Sequence, residues 1–138
     1  MSDDKPFITG GCLCGAVRYE ARAEPSAMGH CYCGDCRKAS GSGFVPFAMF
    51  QAKDLTISGP LLTYTSPAKR GVATRNSCAK CGGLVFGGPL GKSESHTIYA
   101  GSFDDPSRFV PRMAIFTSRA PKWAMIPPGL VQFEEMPG

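Results

Sequence analysis

Seven cysteines fall into three tight clusters, Cys12-x-Cys14, Cys31-x-Cys33-x-x-Cys36 and Cys78-x-x-Cys81, and none lies outside them. Closely spaced thiolates on turns chelate a soft, tetrahedral metal ion, so these clusters fix where the chain has to converge. Two tetrahedral ions need about eight ligands, so seven thiolates leave one coordination position to another donor. A closed site is structural; an open one can take water or substrate. A disulfide framework fits poorly, because the count is odd and C-x-C and C-x-x-C pairs are strained as local bridges. A thioredoxin-like redox pair fits no better, since neither C-x-x-C sits at a strand-to-helix junction in a βαβ pattern.

The compartment follows from the same residues. Met1 to Pro6 reads M-S-D-D-K-P, polar and acidic with no apolar core behind it, so no secretory signal is expected and a reducing cytoplasm is. At 138 residues the chain is expected to be one zinc domain over 1–138, ordered from about 7 to 136 and frayed at both ends. No apolar run approaches the ~20 residues a membrane span needs. The formal charge of +4 counts the thiols as neutral; seven thiolates and two Zn²⁺ bring it to about +1. The basic residues are scattered, which argues against a nucleic-acid partner.

Seventeen glycines and twelve prolines punctuate the chain, and long 3.6-period apolar patterns are absent. Short β-like runs take their place: Ala16 to Ala21, Phe44 to Phe50, Leu55 to Ser58, Leu61 to Thr65, Val72 to Asn76, Leu84 to Phe86, Thr97 to Ala100, Met113 to Thr117 and Val131 to Glu134. Turn clusters such as S-P-A-K-R-G and D-D-P-S separate them. Pro46 places the second run at an edge or a bulge. The pattern predicts an all-β fold of short antiparallel strands in packed sheets. One short helix is expected over Gly34 to Ser40, with Asp35 near its start and Gly41 stopping it.

Cys78-Ala-Lys-Cys81-Gly-Gly has the form of a zinc knuckle, whose turn points both sulfurs and several N–H groups at one ion. Cys12-Leu-Cys14-Gly resembles half of such a site, and Cys31, Cys33 and Cys36 can give three sulfurs to one face of a metal. Spacing leaves the partition open, because Cys33 and Cys36 could equally pair with Cys78 and Cys81 as two knuckles.

The segments around the clusters then resemble a known family. G-G-C-L-C-G-A-V-R-Y-E from Gly10, H-C-Y-C-G-D-C-R-K-A-S-G-S-G-F from His30, N-S-C-A-K-C-G-G from Asn76, A-G-S-F-D-D-P from Ala100 and S-R-A-P-K-W from Ser118 are similar to the glutathione-dependent formaldehyde-activating enzyme family, which includes centromere protein V. The resemblance runs from about Gly10 to Phe133 and implies a β-rich, tent-like fold with two Zn²⁺. It implies that Cys12, Cys14, Cys78 and Cys81 hold a structural zinc, and Cys31, Cys33 and Cys36 a second, open zinc. The family often has histidine near Ala114, and reads G-T-L-D-D-P where this chain has G-S-F-D-D-P. These departures bear on substrate identity and leave the metal sites untouched.

Three thiolates give the open zinc a net charge of about −1, a soft centre suited to capturing another thiol as its thiolate. With the resemblance, this implies a carbon–sulfur lyase that forms or reverses S-hydroxymethylglutathione, with glutathione or a similar small thiol and formaldehyde or a related electrophile as partners. The contrasting expectation is a non-catalytic zinc module that binds a protein or peptide. The N–H groups of the short helix and Arg37 would favour thiolates and substrate carboxylates. Ser40 and Ser42, in S-G-S-G, would bring backbone N–H groups near a ligand, and Phe44 would form an apolar wall. His30 is expected to pack or to sit behind the metal, His96 to be exposed, Asp35 to cap the helix and Tyr32 to face the core. Asp104-Asp105-Pro106 reads as an Asx-capped turn, and Trp123, Phe109 and Phe116 as core or interface. Spare edge strands allow a monomer or a homodimer.

Overall fold

A computed structural model describes residues 5–68 and 71–137. Residues 1–4 and 138, which are parts of the ends expected to fray, and Lys69 and Arg70, from the expected turn cluster S-P-A-K-R-G, lie outside the described residues. The strands are β1 (Ile8–Gly11), β2 (Arg18–Ala21), β3 (Ala27–Cys31), β4 (Val45–Gln51), β5 (Leu55–Ser58), β6 (Leu61–Ala68), β7 (Gly71–Cys78), β8 (Leu84–Gly87), β9 (Ser95–Tyr99), β10 (Met113–Ile115) and β11 (Val131–Gln132). One α-helix, α1 (Gly34–Ser40), follows the second cysteine cluster. The chain is thus mostly β with one short helix, as its turn-punctuated runs predict. No helix among the described residues is long and apolar enough to cross a membrane.

A three-stranded sheet has the order β1-β2-β5, and an eight-stranded sheet the order β11-β10-β3-β4-β9-β8-β7-β6. Neighbouring strands are antiparallel except at one end of the larger sheet. There β10 runs parallel to both β3 and β11.

Strand β4 holds the two halves of the larger sheet together. It pairs with β3 through Val45 to Met49 and with β9 through Phe47 to Gln51. Its near-continuous apolar run fits burial on both faces. Ala48 and Phe50 join Ile98, Phe86, Tyr19 and Ile8 in the main core, against the small sheet. Phe47 points the other way, to Cys31 and Ile115. Each large side chain so buried is worth about 1.5–3 kcal/mol of transfer free energy. The expectation for Pro46 needs correction: β4 is a central strand. Pro46 is tolerated because it precedes the β9 pairing and has a strand neighbour, through His30, on one side only.

Candidate metal centres and the adjoining groove

The fold gathers the cysteines into two sets. Cys12 and Cys14 lie in the turn after β1, Cys78 ends β7, and Cys81 closes the knuckle that follows. The knuckle is tied by Gly82 N–H to Cys78 O at 2.9 Å and by Cys78 N–H to Gly83 O at 2.9 Å. Gly82 has φ +76°, a left-handed turn that glycine adopts without cost. The four sulfurs lie within 4.8 Å of one another, and those of Cys31, Cys33 and Cys36 form a second such set. All seven cysteines are free thiols.

The donor sets fit a thiolate-bound metal. Cys14 Sγ is 3.7 Å from both Cys12 Sγ and Cys78 Sγ. Sulfurs about 2.3 Å from a common tetrahedral centre stand about 3.8 Å apart, whereas a disulfide needs about 2.05 Å. Backbone N–H groups are already aimed at sulfur, as in knuckles: Val17 to Cys12 at 3.2 Å, Lys80 to Cys78 at 3.3 Å and Cys81 to Cys78 at 3.4 Å. Against the upward push of burial, the Val17 N–H and the sulfurs of Cys78, Cys14 and Cys81 hold the Cys12 thiol down at about 6.

The second set is built at the junction of β3 and α1. Cys31 is the last residue of β3, Cys33 caps the helix and Cys36 lies in its first turn. Cys33 Sγ accepts from Cys36 N–H at 3.1 Å, so the cap is the thiol itself. Asp35 therefore does not cap α1 but sits in its first turn. Cys36 Sγ is 3.4 Å from Cys31 Sγ. Hydrogen bonds from Cys31 and Cys36 hold the Cys33 thiol far below its usual range, while the same contacts and burial push Cys31 well up. Three sulfurs competing for protons in so small a space are a set that a cation relieves.

Only the three-sulfur set lines the wide groove of about 970 Å³ that runs across the open face of the larger sheet. Phe47 and Met49 of β4, Thr97 and Tyr99 of β9 and Arg75 of β7 form much of its floor and wall. Arg75 Nη2 donates to Cys36 Sγ at 3.8 Å, and its Nε is buried with no acceptor among the described residues. Burial pushes the Tyr99 phenol up to about 12, against the pull of Arg75, so Tyr99 is a neutral hydroxyl at physiological pH. Phe116, also in the lining, holds φ +56°, the single non-glycine residue in the left-handed region among the described residues. Its N–H bonds Glu135 O at 3.0 Å, which pins the C-terminal segment beside the groove.

The other residues singled out from sequence are placed elsewhere. Arg37, Ser40, Ser42 and Phe44 are not among the groove-lining residues. Ser40 Oγ donates to Cys36 O at 2.8 Å and accepts from Ser42 N–H at 3.1 Å, which finishes the helix end. Phe44 stacks on His30 at 4.3 Å. His30 is buried, and Tyr32 is fully buried with its hydroxyl donating to Met125 O at 2.9 Å. His96 is not exposed as expected: it is 3% exposed, bonded to Gly87 O at 3.1 Å and edge-on to Phe86. Asp105 makes the expected Asx cap with Ser107 N–H at 3.0 Å. Trp123 is 71% exposed and so is not core. Ala114 is fully buried, paired with His30 between the groove residues Cys31 and Ile115 and their neighbours. Strand alternation turns it away from the groove.

A β-rich protein with a four-sulfur and a three-sulfur cluster of metal-ligating geometry is the class these observations define. The family model for the glutathione-dependent formaldehyde-activating enzyme matches residues 7–119, most of the chain, and the chain belongs to that family. A solved structure of a Rhodobacter sphaeroides protein is similar in fold: TM-score 0.56 and 18% identity, over 91% of this chain and 99% of that one. No curated protein matches the chain in sequence.

Proposed function

We propose that the chain, over about residues 7–136, is a zinc-dependent carbon–sulfur lyase of the cytoplasm. It would form or reverse S-hydroxymethylglutathione at the groove beside Cys31, Cys33 and Cys36. The observation that carries this reading is the unequal setting of the two clusters. The four-sulfur set can complete a tetrahedral shell by itself, whereas the three-sulfur set is one donor short and lies in a groove large enough for a tripeptide. Family membership supplies the thiol and the aldehyde.

In the synthetic direction the thiolate sulfur of glutathione attacks the carbonyl carbon of formaldehyde. The carbon–sulfur bond forms, the carbonyl π pair moves onto oxygen, and that oxygen takes a proton from solvent. In reverse the hydroxyl gives up its proton, the carbonyl re-forms and the thiolate leaves. Cys31, Cys33 and Cys36 would hold a zinc ion, which when bound would supply the Lewis acidity that favours a thiolate at neutral pH. The chain's own residues position the thiol. Cys33 orders the cluster by capping α1, and Phe47, Met49 and Phe116 give the thiol's carbon chain an apolar bed. Arg75 keeps a positive charge beside the sulfurs.

Two-dimensional exchange NMR of glutathione with formaldehyde tests this. The zinc-loaded protein should accelerate exchange, and Cys33→Ser should abolish the acceleration while circular dichroism shows a folded chain. No acceleration by the wild type, or an equal one by a folded Cys33→Ser, contradicts the reading and leaves the zinc-module alternative, in which the groove takes a peptide.

A further inference from the structure

We propose that Arg75 is the oxyanion-binding residue of the groove: its guanidinium takes the oxygen that becomes negative when a thiolate adds to an aldehyde carbon. This deepens the lyase reading and rests on it for the identity of that oxygen.

Three observations converge on Arg75. It comes from β7, 39 residues away from Cys36, yet its Nη2 reaches Cys36 Sγ at 3.8 Å. It lines the groove and has no carboxylate partner among the described residues, where the ion pairs are Arg18–Asp104 and Arg22–Glu20. Its Nε–H is buried without an acceptor. An unpaired buried donor is costly, more so on a charged group, so this guanidinium has hydrogen-bonding capacity to spare. Tyr99 lines the same groove, and its phenol is a neutral neighbour that does not compete for the guanidinium as a carboxylate would. A small shift of the side chain toward an arriving oxyanion presents Nε–H and Nη–H together, the planar fork that binds oxyanions in bidentate fashion.

The simpler role, offsetting the negative charge of three thiolates, uses Nη2 alone and leaves the Nε–H without purpose. Position decides which oxyanion is meant. The hydroxymethyl oxygen is two covalent bonds from the adduct sulfur, while the carboxylates of glutathione lie many bonds away. A guanidinium in contact with the sulfur cluster therefore meets the reacting oxygen first. As that oxygen gains charge, the hydrogen bonds to it strengthen, which is the condition for lowering a barrier.

The test uses zinc-loaded wild type, Arg75→Lys and Arg75→Met. In ¹⁵N NMR, the arginine Nε–H signal that disappears in Arg75→Lys should shift saturably as sodium formate is titrated into the wild type. Arg75→Met should keep its zinc and its fold but lose about 100-fold in formaldehyde exchange. Arg75→Lys should recover less than about a tenth of wild-type activity, because ammonium lacks the fork. The loss should be equally large with cysteamine, a thiol without a carboxylate, in place of glutathione. An Nε–H signal indifferent to formate overturns the proposal, as does full activity in Arg75→Lys or a loss confined to glutathione. Should the wild type itself give no exchange, the lyase reading falls, and the formate titration alone decides whether Arg75 binds an oxyanion.

Discussion

Asp104 ties the start of the chain to a loop more than eighty residues further on. Its carboxylate accepts from Thr9 Oγ1 at 2.7 Å and from Arg18 Nη1 at 3.0 Å, with Arg18 Nη2 as a further donor. Hydrogen bonds from Arg18 and Thr9 hold the Asp104 carboxyl below its ordinary 3.8. A carboxylate depressed on folding stabilises above its unfolded pKa, and that contribution is lost as pH falls through the lower folded value. Asp104→Asn should therefore cost up to about 1 kcal/mol near pH 7, the range for half-exposed pairs. The gap between variant and wild type should close below pH 4, read from urea denaturation at each pH. The carboxylate's role as a turn residue was legible in D-D-P, but its partners were not, since they are distant in sequence. Arg75 and Tyr99 escaped sequence reasoning for the same reason. The polar G-K-S-E-S before His96 suggests surface, whereas β9 alternates from exposed Ser95 to buried His96 and Ile98.

At the scale of elements, local chemistry marks some boundaries and distant contacts set others. Helix α1 has the expected bounds, because the left-handed Gly41 (φ +73°) closes it with an N–H to Arg37 O at 2.8 Å. Strands β1 and β3 have no counterpart among the expected runs. They carry Gly10, Gly11 and Gly29, which break any apolar alternation, and the reason lies across the sheet. A Cβ on Gly10 would stand 2.3 Å from Tyr19 Oη, and one on Gly29 would stand 2.6 Å from Met113. Only the folded molecule shows that these strands need glycine for close approach. Gly59, between β5 and β6, combines both demands, with φ +114° and a Cβ position 2.2 Å from Ala16 O. Gly59→Ala should destabilise by more than about 2 kcal/mol, through strain and a backbone clash together. Thermal melts should show this as a loss well beyond that of Gly41→Ala, whose Cβ meets open space and which costs about 1 kcal/mol.

Over the whole molecule, the two sulfur sets are expected to divide stability from chemistry. Cys78 is fully buried in the main core and ends β7, so loss of its sulfur removes both a ligand and a packed side chain. Cys78→Ser should unfold the domain, because a structural metal contributes folding free energy directly. Cys36→Ser should remain folded with about half the zinc, as metal analysis beside thermal melts will show. The three cysteine clusters were legible in the spacing because each is local. Their division into a four-sulfur and a three-sulfur set came from the family resemblance, since it joins Cys12 and Cys14 to Cys78 and Cys81 far along the chain. The groove was not legible, since it is made by β4, β7 and β9 meeting across the larger sheet. Cadmium-113 NMR of the fully cadmium-substituted protein probes the division most directly. Two signals are predicted, of which one moves on addition of glutathione and disappears in Cys36→Ser, while the other stays fixed. A single signal at saturation, or two that ignore glutathione, would contradict an ion open to an external thiol.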